Sequence, residues 1–176
     1  IATSSIAALS RAMENGDTTA SAVTAACLER AEDFNPVCNA FIEVFKDTAI
    51  SRAVDLEHVP RRGQLHGIPY GVKDMFDCRG MLTTAGSGVL HDNIARDDAH
   101  AVTMLNDAGA NCLGKLNLHE FAYGATGENA LYGTALNAYD KTRLAGGSSS
   151  GSAAAVAWGL LPFALGTDTG GSVRAP

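Results

Sequence analysis

Ile68-Pro69-Tyr70-Gly71-Val72, then a helical pattern over 98–108 closed by Gly109, then Asn111-Cys112-Leu113, is the succession that decides the fold. A short apolar run between breakers reads as a buried strand, whereas apolar residues recurring every three to four positions read as an amphipathic helix. Strand, helix and strand in that order predict an α/β sheet. Downstream, Gly151-Ser152-Ala153-Ala154-Ala155-Val156-Ala157-Trp158 predicts a helix at about 151–158 whose face of small residues suits close packing. A last strand is expected at 163–167.

Upstream, the pattern is helical. Ile6, Leu9, Ala12 and Met13 predict a helix over 5–15, with Ser4 or Ser5 as N-cap and Gly16 just past its end. A second helix is expected over 19–33, where Val23, Ala26, Cys27 and Arg30 share a face. After Pro36, alternation of Ala40, Ile42 and Val44 predicts a short strand, and 47–57 another helix. Residues 1–60 therefore read as a helical N-terminal segment and 61–176 as the α/β core.

Composition narrows the function. With 46% hydrophobic residues in 176, the chain can bury a core of its own. Its 18% charged content lies below the roughly 25% of soluble domains, which implies a surface partly covered by further protein. The net charge of −6 is dispersed and the only basic doublet is Arg61-Arg62, so no direct nucleic-acid partner is expected. Cys27, Cys38, Cys78 and Cys112 form no C-x-x-C pair; free thiols, no metal site and a cytoplasmic location follow as expectations. The apolar run Ala153 to Leu165 is too short for a membrane span and is broken by Gly159 and Pro162. The chain begins at Ile1 without an initiator Met, which leaves room for a removed leader.

Two glycine and serine motifs carry the chemistry: Gly146-Gly147-Ser148-Ser149-Ser150-Gly151-Ser152 and Gly166-Thr167-Asp168-Thr169-Gly170-Gly171-Ser172-Val173-Arg174. The first has the glycine spacing of a phosphate loop, but Ser152 stands where the lysine belongs. It also matches the nucleophile elbow G-x-S-x-G, with Ser149 at the centre, yet the polar Tyr139–Arg143 precedes it and no histidine follows His119. A penicillin-binding S-x-x-K is absent, because no lysine has a serine three positions before it. Serines capping a helix remain the structural alternative. With no histidine near either motif, a neutral lysine is the available base, and Lys73 lies among Ile68, Val72 and Phe76 in a setting suited to burial. The competing reading of Lys73 is an ion pair with Asp74 at a strand end.

Five motifs, in order, resemble the amidase signature family: Gly67 to Asp74, Gly114 to Ala122, Thr126 to Asn129, Gly146 to Ser152 and Gly166 to Pro176. The resemblance implies a mixed central sheet covered by helices, of which this chain supplies the N-terminal part, since family members run well over twice this length. It implies Ser172 as nucleophile, Ser148 as bridging serine after a cis peptide bond and Lys73 as base, with Ser149 in support. The N–H groups of Thr169, Gly170, Gly171 and Ser172 would hold the oxyanion, Asp168 and Arg174 would brace that loop, and Ala122 to Ala125 would line the acyl pocket. The implied activity is hydrolysis of a linear, non-peptide carboxylic amide through an acyl-serine, with no cofactor. The alternatives are the glutaminase A subunit of a glutamyl-tRNA amidotransferase and a catalytically incomplete interaction fragment. The implied partners are a small-molecule amide and either a second copy of the chain or the other amidotransferase subunits.

Overall fold

Five residues, Pro69–Lys73, form the strand on which the fold is built (β2), and all five are buried. The computed structural model describes residues 4–176. Three more strands, β1 (Phe41–Val44), β3 (Asn111–Leu116) and β4 (Phe163–Leu165), complete a sheet of order β1-β3-β2-β4. β2 is parallel to both β3 and β4, while β1 runs antiparallel to β3 at one edge. A central parallel strand is covered on both faces and so tolerates a continuous apolar run. The mixed sheet with covering helices is the predicted α/β class.

Two strands differ from their expected extents by more than one residue. β3 continues three residues beyond Leu113, through Gly114 and Lys115, which no apolar pattern marks. Gly114 is required because a Cβ there would strike the backbone carbonyl of Glu43 on β1, and Lys115 is accepted because a carboxylate awaits it. β4 stops at Leu165 instead of 167, since the Thr167 N–H turns to Ser149 Oγ, 3.2 Å away.

The helices are α1 (Ile6–Asn15), α2 (Ala20–Cys38), α3 (Lys46–Glu57), α4 (His100–Asp107) and α5 (Ser150–Ala157). Ser5 caps α1 by accepting the Ala8 N–H at 3.2 Å, and Gly16 closes it at φ 79°. α2 runs five residues past the expected 33, through Pro36. Proline there forfeits one intrahelical bond, but Asn35 holds the last turn in place: its side chain accepts the Phe41 N–H at 2.7 Å and donates to the Phe41 carbonyl at 3.1 Å. The helix ends at Asn39, in the left-handed region at φ 51°.

One face of the sheet packs Leu113 and Leu116 against Cys27, Leu28 and Ala31 of α2 and Ala154 and Ala155 of α5. The other buries Tyr70 and Val72 with Val102 of α4, Ala110 and Cys78. Arg30 fastens α2 to α5 by donating to the carbonyls of Gly159 and Trp158, at 2.7 and 2.8 Å. α5 sits so low on the sheet that its Gly151 N–H donates to the Asn117 carbonyl at 2.9 Å. A methyl at that position would meet the Asn117 and Ala40 backbones, the Asn117 carbonyl at 2.8 Å. Gly151→Ala is therefore expected to lower stability by about 3 kcal/mol, read as a shifted denaturant midpoint. An unchanged midpoint would contradict this seating.

Candidate active site

β2 ends by placing Lys73 under the N-terminus of α5 and the loop after β4. Its ammonium nitrogen lies 2.7 Å from Ser148 Oγ, 3.1 Å from Ser149 Oγ and 2.7 Å from Thr167 Oγ1. Lys73 and Ser148 are both fully buried. Burial disfavours the charged amine and brings its pKa from 10.5 down to about 8, against the smaller opposing pull of the Asp168 carboxylate. The expected apolar surroundings differ at the nitrogen: Val72 and Phe76 belong to the cluster with Tyr70 and Val102, and Ile68 to that with Leu9 and Val23, while hydroxyls surround the nitrogen itself.

The pairing of Lys73 with Asp74 does not occur. Successive side chains of a strand point to opposite faces, and Asp74 instead meets Lys115, Nζ to Oδ1 2.9 Å, both side chains 1% exposed. Lys115 also donates to the Phe76 carbonyl at 2.6 Å and to Thr83 Oγ1 at 2.9 Å, and Asp74 accepts the Thr84 N–H at 2.9 Å. Among the described residues no carboxylate lies within 4.0 Å of Lys73.

Ser148 is held by backbone on backbone. The Gly147–Ser148 peptide is cis, as the resemblance implies. Gly147 donates its N–H to the Ala125 carbonyl at 2.7 Å, and the Ser148 carbonyl accepts from the His119 N–H at 3.1 Å. A Cβ on Gly147 would lie 2.5 Å from Gly127 N and 3.0 Å from the Gly124 carbonyl, so only glycine admits the 124–127 segment this close.

The loop after β4 folds around Asp168. Its carboxylate accepts the N–H groups of Gly171 and Val173 at 2.8 and 3.1 Å, and Arg174 grips it with Nε at 3.0 Å and Nη2 at 2.8 Å. The Arg174 fork and these N–H bonds hold the Asp168 carboxyl well below the usual range. Ser149 N–H donates to the Ser172 carbonyl at 3.0 Å, which ties this loop to the start of α5. Ser172 lines a cavity of about 400 Å³ with Ala122, Tyr123, Gly147, Thr169 and Gly170. Beside it, Phe121 and Ala122 adopt left-handed backbone at φ 51° and 57°, a conformation non-glycine residues hold only where their surroundings impose it.

Of the residues singled out in the sequence, Lys73, Ser148 and Ser149 are in direct contact, and Asp168 with Arg174 braces the loop that carries Ser172. No hydrogen bond joins Ser148 Oγ to Ser172 Oγ. Gly171, expected to offer its N–H to an oxyanion, has it donated to Asp168, and contributes its φ of 125° to the bend. Thr167 touches the lysine although no residue pattern marks it. The parallel register Val72↔Leu165 brings it there, and a register between strands some 90 residues apart leaves no mark in local pattern.

The scaffold is a mixed-sheet α/β one that buries a lysine among serine hydroxyls, beside a glycine-rich loop and a cavity. The particular family follows from comparison: the family model described as Amidase matches residues 22–176, and the chain belongs to the amidase family, the amidase signature group. It is 45% identical over 175 residues to the A subunit of the glutamyl-tRNA(Gln) amidotransferase of Azoarcus sp. (strain BH72), covering 98% of this chain and 36% of that protein. The native peptide amidase of Stenotrophomonas maltophilia superimposes with a TM-score of 0.90 at 39% identity, over 96% of this chain and 37% of the other. A vestigial protein complex bearing on the origins of an s-triazine catabolic enzyme contains a chain with TM-score 0.91 and 39% identity, over 96% and 38%. The chain thus spans little more than a third of the length of these relatives. No helix among the described residues is long and apolar enough to cross a membrane.

Proposed function

We propose that the protein cleaves the C–N bond of a linear carboxylic amide through an acyl-Ser172 intermediate, with Ser148 as relay and Lys73 as base. The observation that carries this reading is the fully buried Lys73, without a carboxylate partner, 2.7 Å from Ser148 Oγ. Neutral Lys73 takes the proton of Ser148 as Ser148 takes that of Ser172, and Ser172 Oγ bonds to the acyl carbon. The N–H groups of Thr169, Gly170 and Ser172 serve the resulting oxyanion, while Asp168 and Arg174 keep the loop in shape. Collapse breaks the C–N bond, the leaving amine takes its proton back through Ser148, and water then releases the acid. The cavity beside Ala122 receives the acyl group.

Ser172→Ala in the complete protein is expected to abolish labelling by a fluorophosphonate, with the label on the unmodified protein mapped to the peptide containing Ser172. Labelling that persists in the variant would assign the nucleophile elsewhere. The names of the relatives favour one narrower reading, the glutaminase component of a glutamyl-tRNA amidotransferase. Glutamine-dependent ammonia release that requires a second, co-purifying protein would select it, and hydrolysis of simple amides by the protein alone would select the free amidase.

A further inference from the structure

The lysine nitrogen has three oxygen neighbours, and counting protons among them assigns a task to two residues outside the Lys73–Ser148–Ser172 series. A neutral amine has two N–H groups and one lone pair, so among three hydrogen-bonded oxygens only one can supply a proton to it. The Ser149 hydroxyl has a single proton, which it gives to the Thr167 carbonyl at 3.1 Å. It also accepts the Thr167 N–H at 3.2 Å. Toward Lys73, 3.1 Å away, Ser149 Oγ can therefore act only as acceptor. That fixes one N–H of the amine. Ser148 Oγ and Thr167 Oγ1 both lie at 2.7 Å; with Ser148 as the relay supplying its O–H to the lone pair, Thr167 Oγ1 takes the second N–H.

We infer that Ser149 and Thr167 are positioning residues that occupy the two N–H groups of neutral Lys73 and thereby aim its lone pair at the Ser148 hydroxyl. The inference rests on the relay proposed above. Without the Thr167 oxygen, the second N–H turns to Ser148 Oγ, and the lone pair faces no proton. The same two oxygens also accept from the protonated amine, whose three N–H groups are then all satisfied, so losing one weakens the charged form more than the neutral form. The charged groups nearby are held by others: Asp74 by Lys115 and Asp168 by Arg174.

The test is the rate of fluorophosphonate inactivation of the complete protein, measured against pH. Thr167→Val, which keeps the shape and removes the hydroxyl, is expected to lower the alkaline plateau about tenfold and to move the acid limb down by about 1 pH unit. Thr167→Ser keeps an acceptor and should retain both. An acid limb that stays in place in Thr167→Val, whatever the rate, overturns the inference and leaves Thr167 a packing residue. Should that variant not fold, Ser149→Ala provides the same comparison, with an unmoved limb again decisive against. Failure of the underlying relay looks different: labelling would then survive Ser172→Ala or proceed at full rate in Lys73→Ala.

Discussion

Lys73→Ala is expected to slow acylation of Ser172 about 10⁴-fold at pH 8 while the fold survives. The variant removes the base, but the nitrogen leaves behind hydroxyls that can bond to one another or to water, so no buried charge is stranded. The unmodified protein should show the signature of the amine. With its pKa brought down to about 8, the neutral fraction, and the rate with it, should rise about tenfold per pH unit below that value and level off above it. The sign follows from which form reacts: protonation fills the lone pair, so activity is lost as pH falls. A free lysine, titrating at 10.5, would leave the protein almost inert at neutral pH. In Lys73→Ala the acid limb should vanish along with the rate. A limb that persists near pH 8 would assign the titration to another group.

The largest loss of stability is expected from breaking the ion pair beneath the site. Lys115→Met leaves the Asp74 carboxylate 1% exposed without its counter-ion, and removing one partner of a buried pair costs about 3–5 kcal/mol. Replacing both residues by apolar ones of similar size, Asp74→Leu with Lys115→Met, should recover much of that, because the desolvation cost of both charges then disappears. Activity should not recover in step. The Asp74 N–H donates to the Leu116 carbonyl at 3.0 Å and its carboxylate holds Thr84, so the backbone next to Lys73 depends on the carboxylate's hydrogen bonds as well as its charge. Urea midpoints of the single and double variants measure the coupling. A loss below about 1 kcal/mol in Lys115→Met, the range of surface pairs, would refute the assignment.

The sheet was legible in the sequence where apolar pattern and structure coincide, as at Ile68 to Val72, and so were the caps of α1 at Ser5 and Gly16. It was not legible where a tertiary partner overrides local preference. Pro36 signals the end of a helix, yet Asn35 carries α2 past it. Lys115 looks unfit for a buried strand until Asp74 is placed opposite. The site divides in the same way. Lys73 and the serine runs stand out as residue types, but a literal reading of the elbow favours Ser149, and only the family motifs bring Ser148 forward. Both touch the lysine, Ser148 the more closely. Thr167 is not legible, because its contact with the lysine comes from strand pairing, which a single sequence does not display.

β2 lies inside the sheet, and its end meets residues 75 and 94 positions further along the chain. Until β4 docks, Lys73 remains a solvated side chain with an ordinary, protonated amine. Closing that 94-residue loop brings the Thr167 hydroxyl onto the nitrogen and takes the lysine out of water. For the base proposed here, folding would therefore double as activation: a chain in which β4 is not yet paired carries the same residues, but its lysine is solvated and charged.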